Sequence, residues 1–526
     1  MQFQDLKDEL KEKTIEDVVT TKSGFGYQLN TGDYLQTMLR PKFKLYYMRH
    51  LTELSINEFA SIIPQIIRPY QRAAIRFCLN HPASYQALDM GLGKTVVSLI
   101  WLANIMKRDP KVKGTLVMAP LRAVYSTWPE EIDKWRPDLN YTLLHGPDKA
   151  ANLRQQRNIY IMNYEGLPWL WNELRAYYKK YKRMPFNTLI IDEGSMVKST
   201  KTKRFKILKI IVKNMTSWRT ILSGTPAPNS LLDLWPQYYL LDGGKRLGDT
   251  ITGYKSRHFM QVDRMGFVWK LRPFQEIPIY NAVADITYRL DAKDHIDVPE
   301  RINNIIKVKL NDDLMVKYKQ LEKDFFTQLE DDRIEAINAM SRSMKLRQFI
   351  QGAMYDDEDA DKPSDQRRVI YIHDQKLKAL EELVESAAGQ GILCAVQFRF
   401  ELRMIKKKFP KAPIVAGGTK PADATRYFQE WNEGKIPLLI CHPASLAHSV
   451  NLQRGSHIIL FYGLPWSLEQ YQQLIARLDR SGQRTNVIVH HLIIKGSIDE
   501  RVFQALSLKI KGQADFLDFL KSNNGG

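Results

Sequence analysis

The residue types best suited to chemistry fall in three short runs. In "LDMGLGKT", Gly91, Gly93, Lys94 and Thr95 offer the parts of a phosphate-binding loop. Glycines let backbone amides approach oxygen atoms, a lysine balances the outer phosphates, and a hydroxyl suits magnesium. The usual pattern wants a further glycine at position 88, where this chain has Leu88. In "NTLIIDEGS", an apolar run ends at Asp192 and Glu193. Such a pair suits a magnesium-linked carboxylate, Asp192, beside a base for an attacking water, Glu193. Farther along, Gln473, Arg477 and Arg480 recur at i, i+4 and i+7. A helix would present all three on one face, where salt-bridged surface arginines are the ordinary reading of such a row.

These residues need a scaffold that brings strand ends together. Short apolar or β-branched runs alternate with amphipathic stretches, the rhythm of parallel α/β units. The expected strands are 115–120, 159–163, 189–192 and 220–223, then 392–398, 413–418, 438–442, 457–461 and 487–494. Two such blocks imply two parallel-sheet domains, over 61–240 and 366–512. Residues 241–365 lack the rhythm and are expected to hold helical insertions and a linker, with a mixed-charge helical stretch at 313–351. Residues 1–60 mix strand-like pieces with Gly-rich turns and are expected to form a small N-terminal accessory domain; 513–526 are expected to be a tail. After Thr95, "VVSLIWLANIMKR" has helical spacing, which would set a helix N-terminus at the phosphates.

Five stretches then stand in order: "IIRPYQRAAIRF", "LDMGLGKT", "IIDEGSMVKS", "LSGTPAPNS" and "LIARLDRSGQRTNVIVHHLI". Together they resemble the motifs of Swi/Snf-type DNA-dependent ATPases of helicase superfamily two, in the compact bacterial, viral or annealing-helicase-like branch. The resemblance covers roughly residues 66–505. It implies an α/β fold of two RecA-like parallel-sheet domains in tandem, using ATP and Mg2+. In this family the phosphate loop commonly lacks its first glycine, which removes the difficulty at Leu88.

The resemblance also implies roles. Arg68 and Gln71 would belong to the nucleotide-binding set, the Gln71 amide offering adenine a donor and an acceptor. Thr95 and Asp192 would hold magnesium, and Gln473 would join the nucleotide contacts. Ser195, Ser223 and Thr225 would couple the ATP site to movement. Arg477 and Arg480 would be arginine fingers closing from the second domain. Candidate DNA contacts follow the strand ends: Pro120, Arg122, Asn163 and Tyr164, then Phe398, Arg399, Gly418, Thr419 and Ser445. Amides and hydroxyls there can hold phosphates without reading sequence. The chain departs from the family at Ser195, where a histidine is common, and at Ala447 and Ser449, where many members have glycines; His448 fits a related Ala/Gly-His pattern of annealing-helicase-like relatives.

Composition narrows the partners. Lys and Arg number 77 against 58 Asp and Glu, a net charge of +19, which suits a polyanion partner or a merely basic enzyme. Hydrophobic residues at 44% argue against disorder. Cys78, Cys394 and Cys441 are widely separated, which excludes a disulfide scaffold and points to a reducing compartment. His442, His448 and His457 fall on separate strands and turns, a poor pattern for a metal centre. No run approaches the ~20 apolar residues needed to span a bilayer, and no secretory signal is expected. The expected partner is therefore DNA, duplex or branched, bound with weak sequence preference. The expected setting is the cytoplasm of a bacterium or of a virus-infected host, with no membrane contact. The expected activity is ATP-driven movement along duplex that remodels DNA or displaces proteins. A branch-migrating or strand-separating helicase and a DNA-binding scaffold with weak ATPase stay open as alternatives.

Overall fold

The computed structural model describes residues 67–523 apart from 214, 216–217, 264–267, 296–298, 328–334, 360–361, 364–365, 447–449 and 481; it describes no side chain in 325–342, at 357 or in 522–523. The expected accessory domain at 1–60, the departures at Ala447 and Ser449, and His448 between them lie outside the described residues. Both large sheets belong to the compact unit Ala73–Gly526.

The first sheet takes β1 (Ala83–Leu88), β2 (Thr115–Ala119), β3 (Tyr141–Leu143), β4 (Ile159–Asn163), β5 (Thr188–Asp192) and β6 (Arg219–Leu222). After a hairpin of β7 (Phe259–Gln261) and β8 (Trp269–Leu271), β9 (Thr287–Leu290) returns to it. The order is β3-β4-β2-β5-β6-β1-β9, all parallel. Gln86 of β1 and Asp192 of β5 both pair with Leu222 of β6. The carboxyl ends of these three strands therefore share one edge, the edge at which parallel sheets bind ligands. That register carries the phosphate loop, the acidic pair and the Ser223–Thr225 segment into one neighbourhood.

The second sheet takes β10 (Ile302–Val308) and, past a small hairpin of β11 (Ala353–Tyr355) and β12 (Val369–Tyr371), five more strands. These are β13 (Ile392–Ala395), β14 (Ile414–Val415), β15 (Leu438–Cys441), β16 (Ile458–Phe461) and β17 (Ile488–Ile494). The order is β10-β17-β16-β13-β15-β14, again all parallel. Three helices matter below: α1 (Lys94–Arg108), α2 (Leu468–Ile475) and α3 (Ile498–Asn523).

Three features differ from the expected layout. β1 carries Ser84 and Gln86, which break an apolar run, yet both are buried and each donates to Thr220 Oγ1 on β6 at 3.1 Å. A buried polar group inside a sheet is tolerated once it is bonded. The 241–365 span is more than insertions and linker, because β9 and β10 come from it and edge one sheet each. The 513–526 segment is not a free tail over its described part. α3 runs through it, burying Phe516, Leu517 and Leu520 in the core of the first domain, with Phe516 4.9 Å from the Tyr280 ring. Lys521 then pairs with Asp291 at 3.0 Å and with Asp294.

Candidate functional site

Gly91 and Gly93 hold φ at 86° and 79°, left-handed values that glycine adopts without a Cβ clash. The turn they make delivers α1 with Lys94 as its first residue. Lys94 Nζ donates to the carbonyl oxygens of Leu88 at 3.0 Å and Asp89 at 3.4 Å, which folds the ammonium into the loop. Its recessed position lowers its pKa, while Glu193, Asp192 and Asp89 pull the other way. A Cβ at Gly91 would meet nothing within 4 Å, so the outer side of the loop is open. A Cβ at Gly224 would lie 3.4 Å from the Leu88 carbonyl and 3.9 Å from Lys94 Nζ, which places the segment after β6 against the same lysine. Arg289 on β9 steadies the loop from the side, pairing with Asp89 at 2.7 Å and with Asp291.

The acidic pair is held just as firmly. Asp192 Oδ2 accepts a hydrogen bond from Trp128 Nε1 at 3.0 Å, and its carbonyl accepts one from the Tyr164 hydroxyl at 2.6 Å. Glu193 takes φ of 60°, uncommon for a residue with a side chain. Gly194 follows where no side chain fits, since a Cβ would lie 2.5 Å from Ile221 and 2.7 Å from Gln237 Oε1. Withdrawal from water, then the charge of Asp192, pushes Glu193 up to about 7, and Asp192 is raised as well. A carboxyl poised near neutrality can take a proton from water.

The arginine row departs from expectation. α2 stops at Ile475, so Gln473, Arg477 and Arg480 do not share one helical face. Arg477 Nε takes the Gln473 carbonyl at 3.0 Å, and the Arg477 amide bonds three residues back to Leu474, which tightens the chain out of α-helix. The two guanidinium groups still converge, reaching the Val450 carbonyl at 3.2 Å from Arg477 and 3.5 Å from Arg480. Burial and then the nearby Arg480 charge lower Arg477 to about 10, against the pull of Glu193. A cavity of about 610 Å³ opens between the two domains, lined by Asp89, Met90 and Thr225 from one side and Ala476 and Arg480 from the other.

The residues expected to couple the site to movement are buried: Thr225 donates its amide to Ser223 Oγ at 3.0 Å, and Ser195 Oγ donates to Glu469 Oε1 of the second domain at 2.5 Å. Gln473, also buried, reaches the same Glu469 oxygen at 3.4 Å. Within the segment ending at Arg72, the Arg68 amide donates to Gln71 Oε1 at 3.1 Å.

The candidate DNA contacts sit at the carboxyl end of β4 or in the segments that follow β2, β4, β13, β14 and β15. Their surroundings differ. The Arg122 guanidinium lies 5.1 Å from the Phe428 ring centroid, across the domain boundary. Pro120 and Asn163 are buried, Asn163 donating to Glu165 at 3.0 Å, and the Tyr164 ring belongs to the core. Phe398 and Arg399 open a helix whose Glu401 accepts the Phe398 amide at 2.9 Å. Gly418 has φ of 99°, Thr419 Oγ1 accepts the Ala416 amide at 3.0 Å, and Ser445 ends a short 3-10 turn. His442 follows β15 and His457 precedes β16; among the described residues no group of three or more His, Cys, Asp or Glu is placed to hold a metal.

Trp128, Arg289 and Glu469 escape the sequence reading. Each meets its partner across a long separation, and a single tryptophan, arginine or glutamate carries no local pattern.

Residues 70–364 match the SNF2-related domain, and residues 375–482 match the helicase conserved C-terminal domain. The chain belongs to the SNF2-related family. It is similar to protein p41 of Acyrthosiphon pisum secondary endosymbiont phage 1, at 36% identity over 86% of this chain and 98% of that protein. It is 23% identical to YwqA of Bacillus subtilis, a protein named as a candidate ATP-dependent helicase/translocase, over 94% of this chain; it spans 52% of the length of YwqA. Among solved structures, the Sulfolobus solfataricus SWI2/SNF2 ATPase core in complex with dsDNA matches at 23% identity and a TM-score of 0.40, covering 87% of this chain and 93% of that one. As an SNF2-related protein, the chain is a helicase-like ATPase of superfamily two that uses ATP. No helix among the described residues is long and apolar enough to cross a membrane.

Proposed function

We propose that this ATPase is switched on by DNA and moves along duplex, remodelling DNA structures or displacing bound proteins. One observation carries the reading: Glu193 of the first domain and Arg477 of the second lie close enough for their charges to act on each other, and Arg480 lines the cavity between the domains together with Asp89 and Thr225, so the site draws on both domains. Both domains also offer strand-end loops toward a polyanion, and the chain carries a net charge of +19. If both sets of loops hold one duplex, each closure and opening changes the spacing between two grips, which is a step.

The residues present suit Mg2+. Thr95 and Asp192 offer hard oxygen donors, and an ion that keeps waters and phosphate oxygens needs no larger protein cage. Held there, Mg2+ would neutralise charge on the outer phosphates. Lys94 balances the same phosphates from the loop. Glu193 takes the proton of the attacking water, and Arg477 and Arg480 set positive charge against the transferred phosphoryl group. Action inside a bacterium or a virus-infected host belongs to the same proposal and is supported by the phage relative.

The test is ATP hydrolysis without nucleic acid and with single-stranded, duplex, forked and four-way DNA, and with RNA. Duplex-containing DNA should stimulate turnover, and ATP should displace the third strand of a triplex more readily than it separates a plain duplex. Equal turnover with and without nucleic acid would end the motor reading. Efficient unwinding of blunt duplex without triplex displacement would favour strand separation.

A further inference from the structure

Glu469 is the second residue of α2, and its carboxylate is spent entirely on connections. Oε1 accepts from Ser195 Oγ at 2.5 Å and from Gln473 Nε2 at 3.4 Å, while Oε2 accepts from Lys198 Nζ at 2.6 Å. Ser195 and Lys198 belong to the first domain and follow Glu193 by two and five residues. Gln473 lies on α2, and Arg477 and Arg480 lie just past its end. One carboxylate therefore bridges the segment that carries the base and the helix that leads to the arginines. The Glu469 side chain is 12% exposed and that of Lys198 is 26%, so the ion pair is partly withdrawn from water and less screened than a surface pair. The backbone on the first-domain side cannot absorb slack, since Glu193 is at positive φ and Gly194 has no free space.

We propose that Glu469 is a positioning residue, a latch that forms with Ser195 and Lys198 only on domain closure and fixes Arg477 and Arg480 relative to Glu193. The proposal rests on the closing site described above. Without the latch the two domains still bind nucleotide, because Lys94 and its loop are untouched. The closed arrangement is then less populated, and the loss falls on turnover.

The test combines kinetics with a direct measure of closure. The variants are Glu469→Ala, Lys198→Ala, the double variant, and Glu469→Gln, which keeps an acceptor for Ser195 without the ion pair. Closure is followed by energy transfer between dyes on Lys180→Cys and Lys407→Cys, both exposed; the native cysteines described, Cys78, Cys394 and Cys441, are buried. With ATP and duplex DNA, Glu469→Ala should lower kcat by about tenfold, the scale of one coupled contact, with nucleotide affinity within about twofold. The closed population should fall in parallel, Glu469→Gln should retain more activity than Glu469→Ala, and the double variant should lose less than the product of the single losses. Wild-type closure in Glu469→Ala, or single losses that simply multiply, overturns the latch. A wild-type protein that DNA does not stimulate would instead overturn the motor reading, and the closure measurement and the cycle on basal turnover would still decide the latch.

Discussion

Trp128 Nε1 donates a hydrogen bond of 3.0 Å to Asp192 Oδ2, so an indole fixes the orientation of that carboxylate. Trp128→Phe keeps most of the buried ring and removes the bond. A hydrogen bond to a charged group contributes about 1.5–3 kcal/mol. The variant should therefore need more Mg2+ for half-maximal turnover and should lose about tenfold or more in kcat. Steady-state hydrolysis across a Mg2+ series checks this; an unchanged Mg2+ requirement contradicts the role.

Lys94→Ala should abolish ATP turnover and leave DNA affinity close to wild type. The ammonium sits inside the phosphate loop, bonded to Leu88 and Asp89, whereas the candidate DNA loops follow β2 and β4 and the second-sheet strands. Hydrolysis and fluorescence anisotropy on labelled duplex separate the two effects. Normal turnover would remove the loop from the ATP site.

Arg480→Ala should preserve nucleotide affinity and reduce DNA-stimulated turnover by about a thousandfold, the scale of an arginine finger. Arg480 lines the cavity, while Arg477 is the more buried of the pair. Retained stimulation in Arg480→Ala would pass the role to Arg477, whose own alanine variant should then show the loss.

Binding to DNA should weaken steeply with salt and vary little with sequence. Arg122→Ala should flatten the slope of log affinity against log salt by about one unit, for all sequences alike. The Arg122 guanidinium lies 5.1 Å from the Phe428 ring, a contact that neutralises no phosphate. Phe428→Ala should for that reason not flatten the slope. Parallel titrations of both variants at several salt concentrations decide the matter.

Glu401 offers a pH test of stability. Buried at the start of its helix, it accepts the Gln397 and Phe398 amides at 2.6 and 2.9 Å, and burial pushes it up to about 7. With a folded value above the ordinary glutamate value of 4.5, the folded state holds the proton first. The stabilising contribution is full below the lower value and is lost as pH rises through about 7. Glu401→Gln removes this titration, so its melting temperature relative to wild type should rise between pH 5 and pH 8, the two assay conditions. A constant difference would show that the carboxyl is not protonated in the fold.

Much of the candidate site was legible because the residue types suited to phosphate chemistry stand in contiguous runs at strand ends. Lys94, Asp192 and Glu193 announce themselves by type, spacing and the apolar strand before them. The expected strands around them fall within a residue or two of the observed ones in the first sheet. β1 stayed hidden because Ser84 and Gln86 look solvent-facing until Thr220 is known to lie beside them. β10 stayed hidden because six of its seven residues are not buried, as befits an edge. The helical face imagined for the arginines failed for a different reason. Periodicity gives no notice that the Arg477 side chain will take the carbonyl its own backbone would have used.

Rooted just after β17 and ending among Phe516, Leu517 and Leu520, α3 is a rod of 26 residues, about 39 Å at a rise of 1.5 Å per residue. The chain between β9 and β10 ties the same two bodies together. Bodies tied at one point can roll and twist freely; a stiff second tie leaves one easy motion, a swing about the line through both. Under the proposed closure, the domains would then act as jaws on a pin rather than beads on a string. Each closure would bring the arginines along one arc toward the phosphate loop, with the aim supplied by the frame.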